Sequence, residues 1–487
     1  MSPRRASRRA QRRVVPVLVL AMLATVPAIL LAGVWQFAET NVAPPTTTTT
    51  TTLPPPPTAA LVTPLLSLRR QPEAVARQIA QAQSQVLLEA RLAELTAGIG
   101  PESCLRVVAG DTVIVDVRPD RAVTPASNQK LLVAAVALDV LGPGHRFRTR
   151  VDSPPPTDGV VAGDLYLIGG GDPLLRTDGV VDPLRYPAFN TTSLDVLADQ
   201  VASLGVTTID GDVVGDAGRY DDEFRVPGWG GDITSVDAGP YDALLVNDGL
   251  ISATDYGLDP SRSAARAFLD LLLERGITVT GSAASGDRPA DAALTTLALI
   301  ESEPLTDVLV EMLHTSDNNT AEMLVKELGY AATGAGTRDA GLATIAATLA
   351  DWGVPMDGVS LHDGSGLSRD DRVTCATITA VLTATPVAAA LRDLLPVAGR
   401  DGTLVHQFKG SYAEGRLQAK TGTLTGVKAL AGTLGSQGGV RIEFALILNG
   451  ADVDDPSIHV PVWRRLVDVL RDYPIEVLPD VEAVSPR

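Results

Sequence analysis

The stretch TPASNQKLL, residues 124–132, brings a serine and a lysine within one helical turn of each other. A serine hydroxyl is a poor nucleophile until a base removes its proton, and a lysine amine can be that base when burial or a nearby cation lowers its pKa. Ser127 and Lys130 would lie on one face of a helix, where their side chains can touch. The pair fits acyl transfer through Ser127, although a helix-capping serine beside a solvated lysine has the same pattern.

Two further stretches contain residue types that such chemistry needs. The sequence SDN at residues 316–318 opens an apolar helical pattern, and KTG at residues 420–422 lies on a predicted strand. The order SxxK, SDN, KTG is typical of penicillin-binding proteins and class A β-lactamases. Each motif alone is a weak signal, whereas the ordered set strongly favours an enzyme that acylates its own serine.

The surrounding patterns predict the elements that hold these motifs. Residues 131–141 have leucine and alanine at helical spacing and stop at a Gly-Pro pair, so Ser127 is expected at the start of a buried helix. Two short strands are predicted to turn at residues 110–111, and a hairpin is predicted to turn at residues 436–439. Residues 72–96 also show helical periodicity.

The spacing of the motifs predicts an inserted domain. Ser316 lies 189 residues after Ser127, whereas Lys420 lies only 104 residues after Ser316. Residues 155–295 fill the longer gap with short apolar stretches between Gly and Asp, which is typical of a β-rich domain, and one helix is predicted in SRSAARAFLDLLLERG. Residues 72–154 and 296–475 are predicted to form one catalytic domain, which the insertion splits in two. Residues 476–487 are predicted to form a C-terminal tail.

Composition excludes several classes of partner. The 487-residue chain has a formal net charge of −18 and no basic cluster beyond residue 13, so nucleic-acid binding is not expected. Five histidines without close pairing predict no metal site, and no cofactor is expected. Cys104 and Cys375 are expected either to form a disulfide or to remain buried thiols. Lys326 and Lys409, two of only five lysines, lie outside the motifs and are expected at the surface.

The N-terminal residues predict export. Residues 1–37 combine an arginine-rich start with an uncharged apolar run from Val14 to Phe37 that is long enough to cross a bilayer. This segment is expected to be an uncleaved membrane anchor, with a cleaved export signal as the alternative. Residues 38–71 are rich in threonine and proline and are expected to form a disordered stalk. The rest of the chain is therefore predicted to be extracytoplasmic, in the cell wall or periplasmic space.

The sequence resembles the exported D-alanyl-D-alanine carboxypeptidase/endopeptidases, the class C low-molecular-mass penicillin-binding proteins. The resemblance covers roughly residues 100–472 and includes TPASNQKLL, GDLYLIGGGDP, RYDDEFRVPGW, LLVNDG, SDNNTAEMLVKELG, LHDGSGLSRDDRVT, LLPVAGRDGTL and AKTGTLTGVKALAG. It implies an α+β fold, a serine transpeptidase-like domain with an antiparallel sheet flanked by helices and an all-helical part, interrupted by the β-rich insertion. It also implies peptidoglycan stem peptides as substrates and β-lactam antibiotics as acylating inhibitors.

The resemblance implies a catalytic role for five residues of this sequence. Ser127 would attack the carbonyl between two terminal D-alanines, with Lys130 as its general base. Lys420 would supply positive charge that favours a neutral Lys130 and attracts the substrate's terminal carboxylate. Ser316 would relay a proton to the leaving amine, and Asn318 would hold Lys130 and the substrate amide.

The strand of the KTG motif is expected to bind substrate. The resemblance implies that the hydroxyls of Thr421 and Thr423, on either side of Gly422, bind the carboxylate. The backbone N–H groups of Ser127 and Thr423 would form the oxyanion hole.

The insertion is expected to select the substrate. Asp216 and Tyr220 stand where relatives present an acid and an aromatic ring to the free end of the stem's diamino acid. Asp216 beside Gly215 is equally well explained as a turn residue. Asn319 and Lys428 are departures near the cleft that could alter substrate preference without changing the chemistry.

Three functions compete on this basis. The first is a DD-carboxypeptidase and DD-endopeptidase that trims stem peptides or opens cross-links. The second is a β-lactamase, which the long insertion disfavours. The third is a non-catalytic wall-binding module, which is disfavoured because all five implied catalytic residues are present.

Overall fold

The computed structural model describes residues 86–180, 188–230, 237–252 and 255–474. The predictions for the N-terminal anchor, the stalk and the C-terminal tail lie outside these residues. So does the first part of the helix predicted at 72–96, of which residues 86–97 are helical. Across the described ranges, no helix is both long enough and apolar enough to cross a bilayer.

The described residues form the following elements in chain order. The strands are β1 (Cys104–Ala109), β2 (Thr112–Val117), β3 (Arg148–Ser153), β4 (Val160–Val161), β5 (Leu165–Ile168), β6 (Leu175–Arg176), β7 (Thr192–Ser193), β8 (Thr208–Ile209), β9 (Val213–Asp216), β10 (Thr278–Val279), β11 (Ala283–Ser285), β12 (Thr295–Glu301), β13 (Leu417–Leu424), β14 (Val427–Gly435) and β15 (Arg441–Asn449). The labelled helices are α1 (Lys130–Val140), α2 (Asp195–Ser203), α3 (Pro260–Glu274), α4 (Leu305–Thr315), α5 (Asn318–Thr333), α6 (Arg338–Asp351), α7 (Cys375–Thr383), α8 (Ala388–Asp393) and α9 (Pro456–Arg471). Short 3₁₀ turns occur at Ala126–Gln129, Asn247–Gly249 and Gly402–Leu404.

One antiparallel sheet has the strand order β13, β14, β15, β1, β2, with β13 at its edge. Its turns at residues 110–111 and 436–440 confirm the two predicted hairpin positions. Because successive side chains of a strand point to opposite faces, the sheet carries two cores. Ala431 of β14 belongs to one core and its neighbour Leu430 to the other.

Helices cover both faces of this sheet. On one face, α1 lies in a core that it shares with α4, α5, α6, α7 and α8, and every residue from 131 to 138 is buried. A helix that is apolar all round is typical of such a fully buried position. On the other face, the helical segment 86–97 and α9 pack their side chains, including Trp463, against the sheet. The elements next to Ser127 are thus held in place from both sides.

Between β3 and β12 the chain builds a second body with its own apolar core. Its main sheet has the order β11, β9, β5, β3, β12. Because β3 pairs antiparallel with β12, the strand by which the chain enters this body lies next to the strand by which it leaves. Helix α3 confirms the predicted helix, but α2 is a second helix that the sequence does not predict. Only Leu197, Ala198 and Val201 of α2 are buried, so the helical spacing of apolar residues is weak in this part of the sequence. The α+β architecture with a β-rich insertion is the expected class.

Cys104 and Cys375 form a disulfide with a Cα–Cα distance of 5.9 Å. The bond joins the first residue of β1 to the first residue of α7. Of the two alternatives open from the sequence, the structure has the disulfide.

Candidate active site

Ser127 lies in the 3₁₀ turn Ala126–Gln129, directly before α1. Two glycines allow other segments to approach this turn closely. A Cβ atom at Gly366 would fall 2.0 Å from the carbonyl oxygen of Ala126, and one at Gly422 would fall 3.2 Å from the Cβ of Ala126. Ser127 itself is partly exposed while its neighbours are buried. The turn is therefore fixed between the KTG strand and the loop of Gly366, with its serine accessible.

Lys130 is completely buried, and its Nζ atom has three oxygen partners. Nζ lies 2.7 Å from Oδ1 of Asn318, 2.8 Å from the carbonyl oxygen of Ser365 and 3.3 Å from Oγ of Ser127. A neutral amine has two N–H donors and one lone pair. Since the first two partners can only accept, they use both N–H groups and leave the lone pair for the hydroxyl hydrogen of Ser127. A neutral Lys130 in this geometry could accept the proton of Ser127.

The surroundings of Lys130 adjust its proton affinity. Burial lowers the pKa of Lys130 to about 8, although the negative charges of Asp363, Glu322, Asp317 and Asp237 oppose this shift. A base works best when its pKa lies near the working pH, because it is then often unprotonated yet still accepts a proton readily. Lys130 meets that condition, which an exposed lysine does not.

The junction between α4 and α5 positions Ser316 and Asn318. Ser316 ends α4 in the left-handed conformation, with φ of 65°, and the side chain of Asp317 caps α5 by accepting from the N–H of Thr320. Backbone held in such a sparsely populated conformation is common at functional sites. The sharp junction directs Ser316 to Lys420 and Asn318 to Lys130, so one loop contacts both amines.

Lys420 is the second fully buried amine of the site. Its Nζ lies 2.8 Å from Oγ of Ser316 and 2.9 Å from the carbonyl oxygen of Thr421. Burial first, and then the positive charges of Lys130 and Lys428, hold the pKa of Lys420 well below its usual range.

The two amines have different charged surroundings. The charges near Lys130 are those of the acids Asp363, Glu322, Asp317 and Asp237, whereas those near Lys420 are those of Lys130 and Lys428. A bound carboxylate would favour the protonated form of a neighbouring amine. That Lys420 carries the positive charge of the pair, as the resemblance implies, stays a prediction.

The KTG motif lies on β13, the edge strand of the sheet. Backbone hydrogen bonds with residues 396–398 cover the outer edge of β13 at residues 417–419, and the motif follows directly. An extended peptide can add to such an edge as a further strand. Because Gly422 contacts the turn of Ser127, a peptide on this edge would pass beside the nucleophile.

The two threonines of the motif region have hydroxyl partners. Oγ1 of Thr421 donates to Oγ1 of Thr403 at 2.8 Å. Oγ1 of Thr423, an exposed residue, accepts from Nζ of Lys428 at 2.8 Å. Both hydroxyls therefore have fixed positions on the strand.

A cavity of about 520 Å³ opens beside Thr423. Its walls carry charges of both signs, from Arg369, Asp237 and Asp454. The Nδ2 group of Asn318 donates to the carbonyl oxygen of Asp237 at 2.6 Å, which connects the cavity to the amine cluster. The site thus continues from the nucleophile into a polar cavity.

The sequence of this chain matches the model of a known protein family. The model of the D-Ala-D-Ala carboxypeptidase 3 (S13) family matches residues 88–258 and 256–460. The chain belongs to the S13 family. It is therefore an enzyme of the serine-type D-Ala-D-Ala carboxypeptidase class.

Individual relatives agree with the S13 assignment. The chain is 32% identical over 409 residues to a D-alanyl-D-alanine carboxypeptidase of Actinomadura sp. (strain R39), a match that covers 67% of this chain and 73% of that protein. It is 32% identical over 364 residues to Carboxypeptidase DacB of Mycolicibacterium smegmatis, covering 71% and 74%. The crystal structure of penicillin binding protein 4 from Haemophilus influenzae matches 78% of this chain and 99% of its own, with a TM-score of 0.67 and 22% identity, which shows a shared fold.

The loop in the stretch LHDGSGLSRDDRVT, to which the sequence analysis assigns no catalytic role, positions Lys130 in this S13 enzyme. The carbonyl oxygen of Ser365 is one of the three partners of Lys130. Glu322, fully buried on α5, holds the loop by accepting from the N–H groups of Gly364 and Ser365 at 2.7 to 3.1 Å. Asp363 accepts from two further N–H groups of the same loop. The available signal was an acid in an apolar helical run, four residues after Asn318 and so on the same face.

Asp216 and Tyr220 do not join the hydrogen-bonded cluster around Ser127. The two carboxylate oxygens of Asp216 accept from the backbone N–H groups of Gly218 and Arg288, at 2.9 and 3.0 Å. The hydroxyl of Tyr220 donates to Glu327 at 3.0 Å. Both side chains are buried, so the turn alternative describes the geometry of Asp216. Their implied contact with substrate stays a prediction.

Lys326 is not the surface residue that the sequence predicts. It is fully buried on α5, where its Nζ lies 2.6 Å from Oδ1 of Asp221 and donates to the carbonyl oxygens of Asp221 and Glu223. Lys409 is exposed, as expected. The prediction fails for Lys326 because its partners lie about 100 residues away in sequence, in the inserted body.

Proposed function

We propose that this S13 enzyme hydrolyses the bond between the two terminal D-alanines of peptidoglycan stem peptides, and D-Ala-diamino acid cross-links, through an acyl-enzyme on Ser127. The observation that carries the proposal is the contact set of Lys130, a buried amine with both N–H groups engaged and its third contact on Ser127 Oγ at 3.3 Å. The names of the relatives support the substrate class.

Acylation would use four side chains in sequence. Lys130 takes the proton of Ser127 as Oγ attacks the carbonyl carbon, and the backbone N–H groups of Ser127 and Thr423 stabilise the oxyanion. Ser316 donates its hydroxyl proton to the leaving nitrogen and takes one from the ammonium of Lys420 that it contacts, so that the C–N bond breaks and D-alanine departs. Lys130 then passes the proton that it took from Ser127 to Lys420, through Ser316 or solvent, and is neutral again. It takes a proton from the water that attacks the ester and gives it to Oγ of Ser127 as the ester bond breaks.

The substrate's carboxylate would complete the charge distribution. Bound by the hydroxyl of Thr423, and by that of Thr421 once its hydrogen turns from Thr403 to the ligand, it would raise the pKa of the neighbouring Lys420 and so favour a proton there. A positive Lys420 in turn favours a neutral Lys130, the form that accepts the proton of Ser127. The substrate would thus help to prepare the base that attacks it.

The cavity beside Thr423 supports recognition of the stem's diamino acid. The free end of such a residue carries an ammonium and a carboxylate, and the cavity has Asp237 and Asp454 for the first and Arg369 for the second. β-Lactams carry a carboxylate next to a reactive amide, so they would acylate Ser127 by the same route.

We also propose that the enzyme acts outside the cytoplasm, held by the predicted anchor at residues 14–37. The Cys104–Cys375 disulfide supports export, because such bonds persist in oxidising compartments and are rare in the cytosol.

Labelling of the full-length protein with a fluorescent penicillin tests the proposal. Ser127→Ala should abolish the covalent label, while Ser203→Ala, at an exposed serine of α2, should leave it unchanged. A labelled Ser127→Ala protein would contradict the proposed nucleophile, and a label that turns over rapidly would favour a β-lactamase. Incubation with a pentapeptide and with a cross-linked dimer, followed by mass analysis, separates carboxypeptidase from endopeptidase activity.

A further inference from the structure

Lys428 is a feature of the site that the mechanism above does not use. It lies on β14 directly opposite Thr423 of β13. Its Nζ donates to Oγ1 of Thr423 at 2.8 Å and lies 5.4 Å from the ring centroid of Trp463 on α9. A cation over an aromatic face is attracted by the ring, so two contacts fix this ammonium beside the KTG strand.

The hydrogen bond from Lys428 determines what the hydroxyl of Thr423 can do. An ammonium group donates and never accepts, so Oγ1 of Thr423 must be the acceptor in this pair. The hydroxyl then keeps its own hydrogen for another acceptor. Because Thr423 is exposed on the strand that faces the cleft, this hydrogen is available to an incoming ligand.

The positive charge of Lys428 also reaches Lys420. It contributes, after burial and Lys130, to the lowered pKa of Lys420, and after burial to the lowered pKa of His459 on α9. An anion bound at Thr423 would lie beside the ammonium of Lys428, which contacts the same hydroxyl.

We propose that Lys428 makes the enzyme selective for substrates that end in a free carboxylate. It is a positioning residue, which holds Thr423 as a hydrogen-bond donor and adds positive charge beside the hydroxyl. The inference rests on the proposed function, since it assigns the anion at Thr423 to the terminal carboxylate of the peptide. It adds a determinant of substrate selectivity that lies outside the three motifs.

Two peptides that differ only at their last group provide the test: an acylated D-Ala-D-Ala and its C-terminal amide. For Lys428→Met in the full-length protein, kcat/KM for the free acid should fall by about tenfold, the scale of one hydrogen bond between charged groups, mainly through KM. The value for the amide should change by less than about twofold, because it has no negative charge to lose contact with. Lys428→Arg, which keeps a donor and a charge, should recover most of the rate on the free acid.

The ratio of the two rates does not depend on the fraction of folded enzyme, so a loss of stability in the variant cannot imitate the effect. Lys409→Met removes the same charge from an exposed loop and should leave both rates unchanged. Equal losses on acid and amide, or an unchanged ratio, would overturn the role of Lys428 while the DD-peptidase activity stands. If the unaltered enzyme cleaves neither peptide and takes up no penicillin, the proposed function fails, and this inference fails with it.

Discussion

Helix α5, beside the active site, and helix α3, in the inserted body, bury different kinds of side chain. The buried polar and charged residues of α5 are Asn319, Thr320, Glu322, Lys326 and Glu327, whereas the only one on α3 is Ser261. Burying such groups costs free energy unless partners are found, and α5 finds them in distant segments, as in the two hydrogen bonds from Arg219 to Glu327. α5 is thus organised by hydrogen bonds that position the site, and α3 by apolar packing.

The contrast predicts that substitutions in the two regions separate activity from stability. Near α5, removal of a polar group should change the chemistry more than the folding. On α3, removal of apolar volume should change the folding and leave the chemistry intact.

Of the substitutions that test this contrast, Lys130→Met should have the largest effect on activity, because it removes the amine that contacts Asn318 of α5. Acylation by penicillin should fall by about 10³-fold, because a positioned base contributes on that scale. The free energy of unfolding should fall by no more than about 1–3 kcal/mol, the cost of leaving the buried oxygens of Asn318 and Ser365 without their donor. Stopped-flow acylation and urea unfolding measure the two quantities. A variant that acylates at the normal rate, or whose stability falls in proportion to its activity, would contradict the proposed difference between α5 and α3.

Phe268→Ala tests the contrast from the other side. Phe268 is fully buried in the core of the inserted body, so the free energy of unfolding should fall by about 3–5 kcal/mol. The acylation rate per penicillin-titrated active site should not change. Leu273→Ala, at an exposed position of the same helix, is the matched control and should shift stability by less than about 0.5 kcal/mol. A slower rate per active site in the Phe268 variant would mean that the inserted body takes part in the chemistry.

A smaller effect is expected from pH. Only the neutral amine of Lys130 accepts a proton, and its pKa is about 8, so acylation should rise about tenfold per pH unit below that value and level off above it. Phe268→Ala should have the same profile as the unaltered enzyme. Rates of acylation between about pH 5.5 and about pH 9.5, a range of about four pH units that includes the pKa, measure the curve. A flat profile would contradict the role of Lys130 as base.

The sequence predicted the parts of the site that depend on local order. Ser127 and Lys130 are three residues apart at a helix start, and this spacing alone brings Nζ close to Oγ. The hairpins, α1, α3 and α5 follow from periodicity and turn residues in the same way. The three motifs were recognisable because two of them lie at helix starts and the third lies within a regular strand, so that each has its local geometry set by a few sequence neighbours.

The features of the site that the sequence did not predict depend on contacts between distant segments. The carbonyl of Ser365 contacts Lys130 across 235 residues, and no side-chain chemistry marks a backbone oxygen in a sequence. Glu322 and Lys326 resemble the solvated charges of any helix until the loops that pair with them are known. The charges that surround the two active-site lysines could not be predicted for the same reason, because they depend on which segments the fold brings near each amine.

The disulfide between Cys104 and Cys375 has a consequence for the integrity of the chain. Its partners are 271 residues apart, so the nucleophile and the whole inserted body lie inside one covalently closed loop. A single proteolytic cut anywhere in that loop would leave the two fragments joined, and the strands and helices on either side of the cut could not diffuse apart. One such nick would therefore not release half of the molecule.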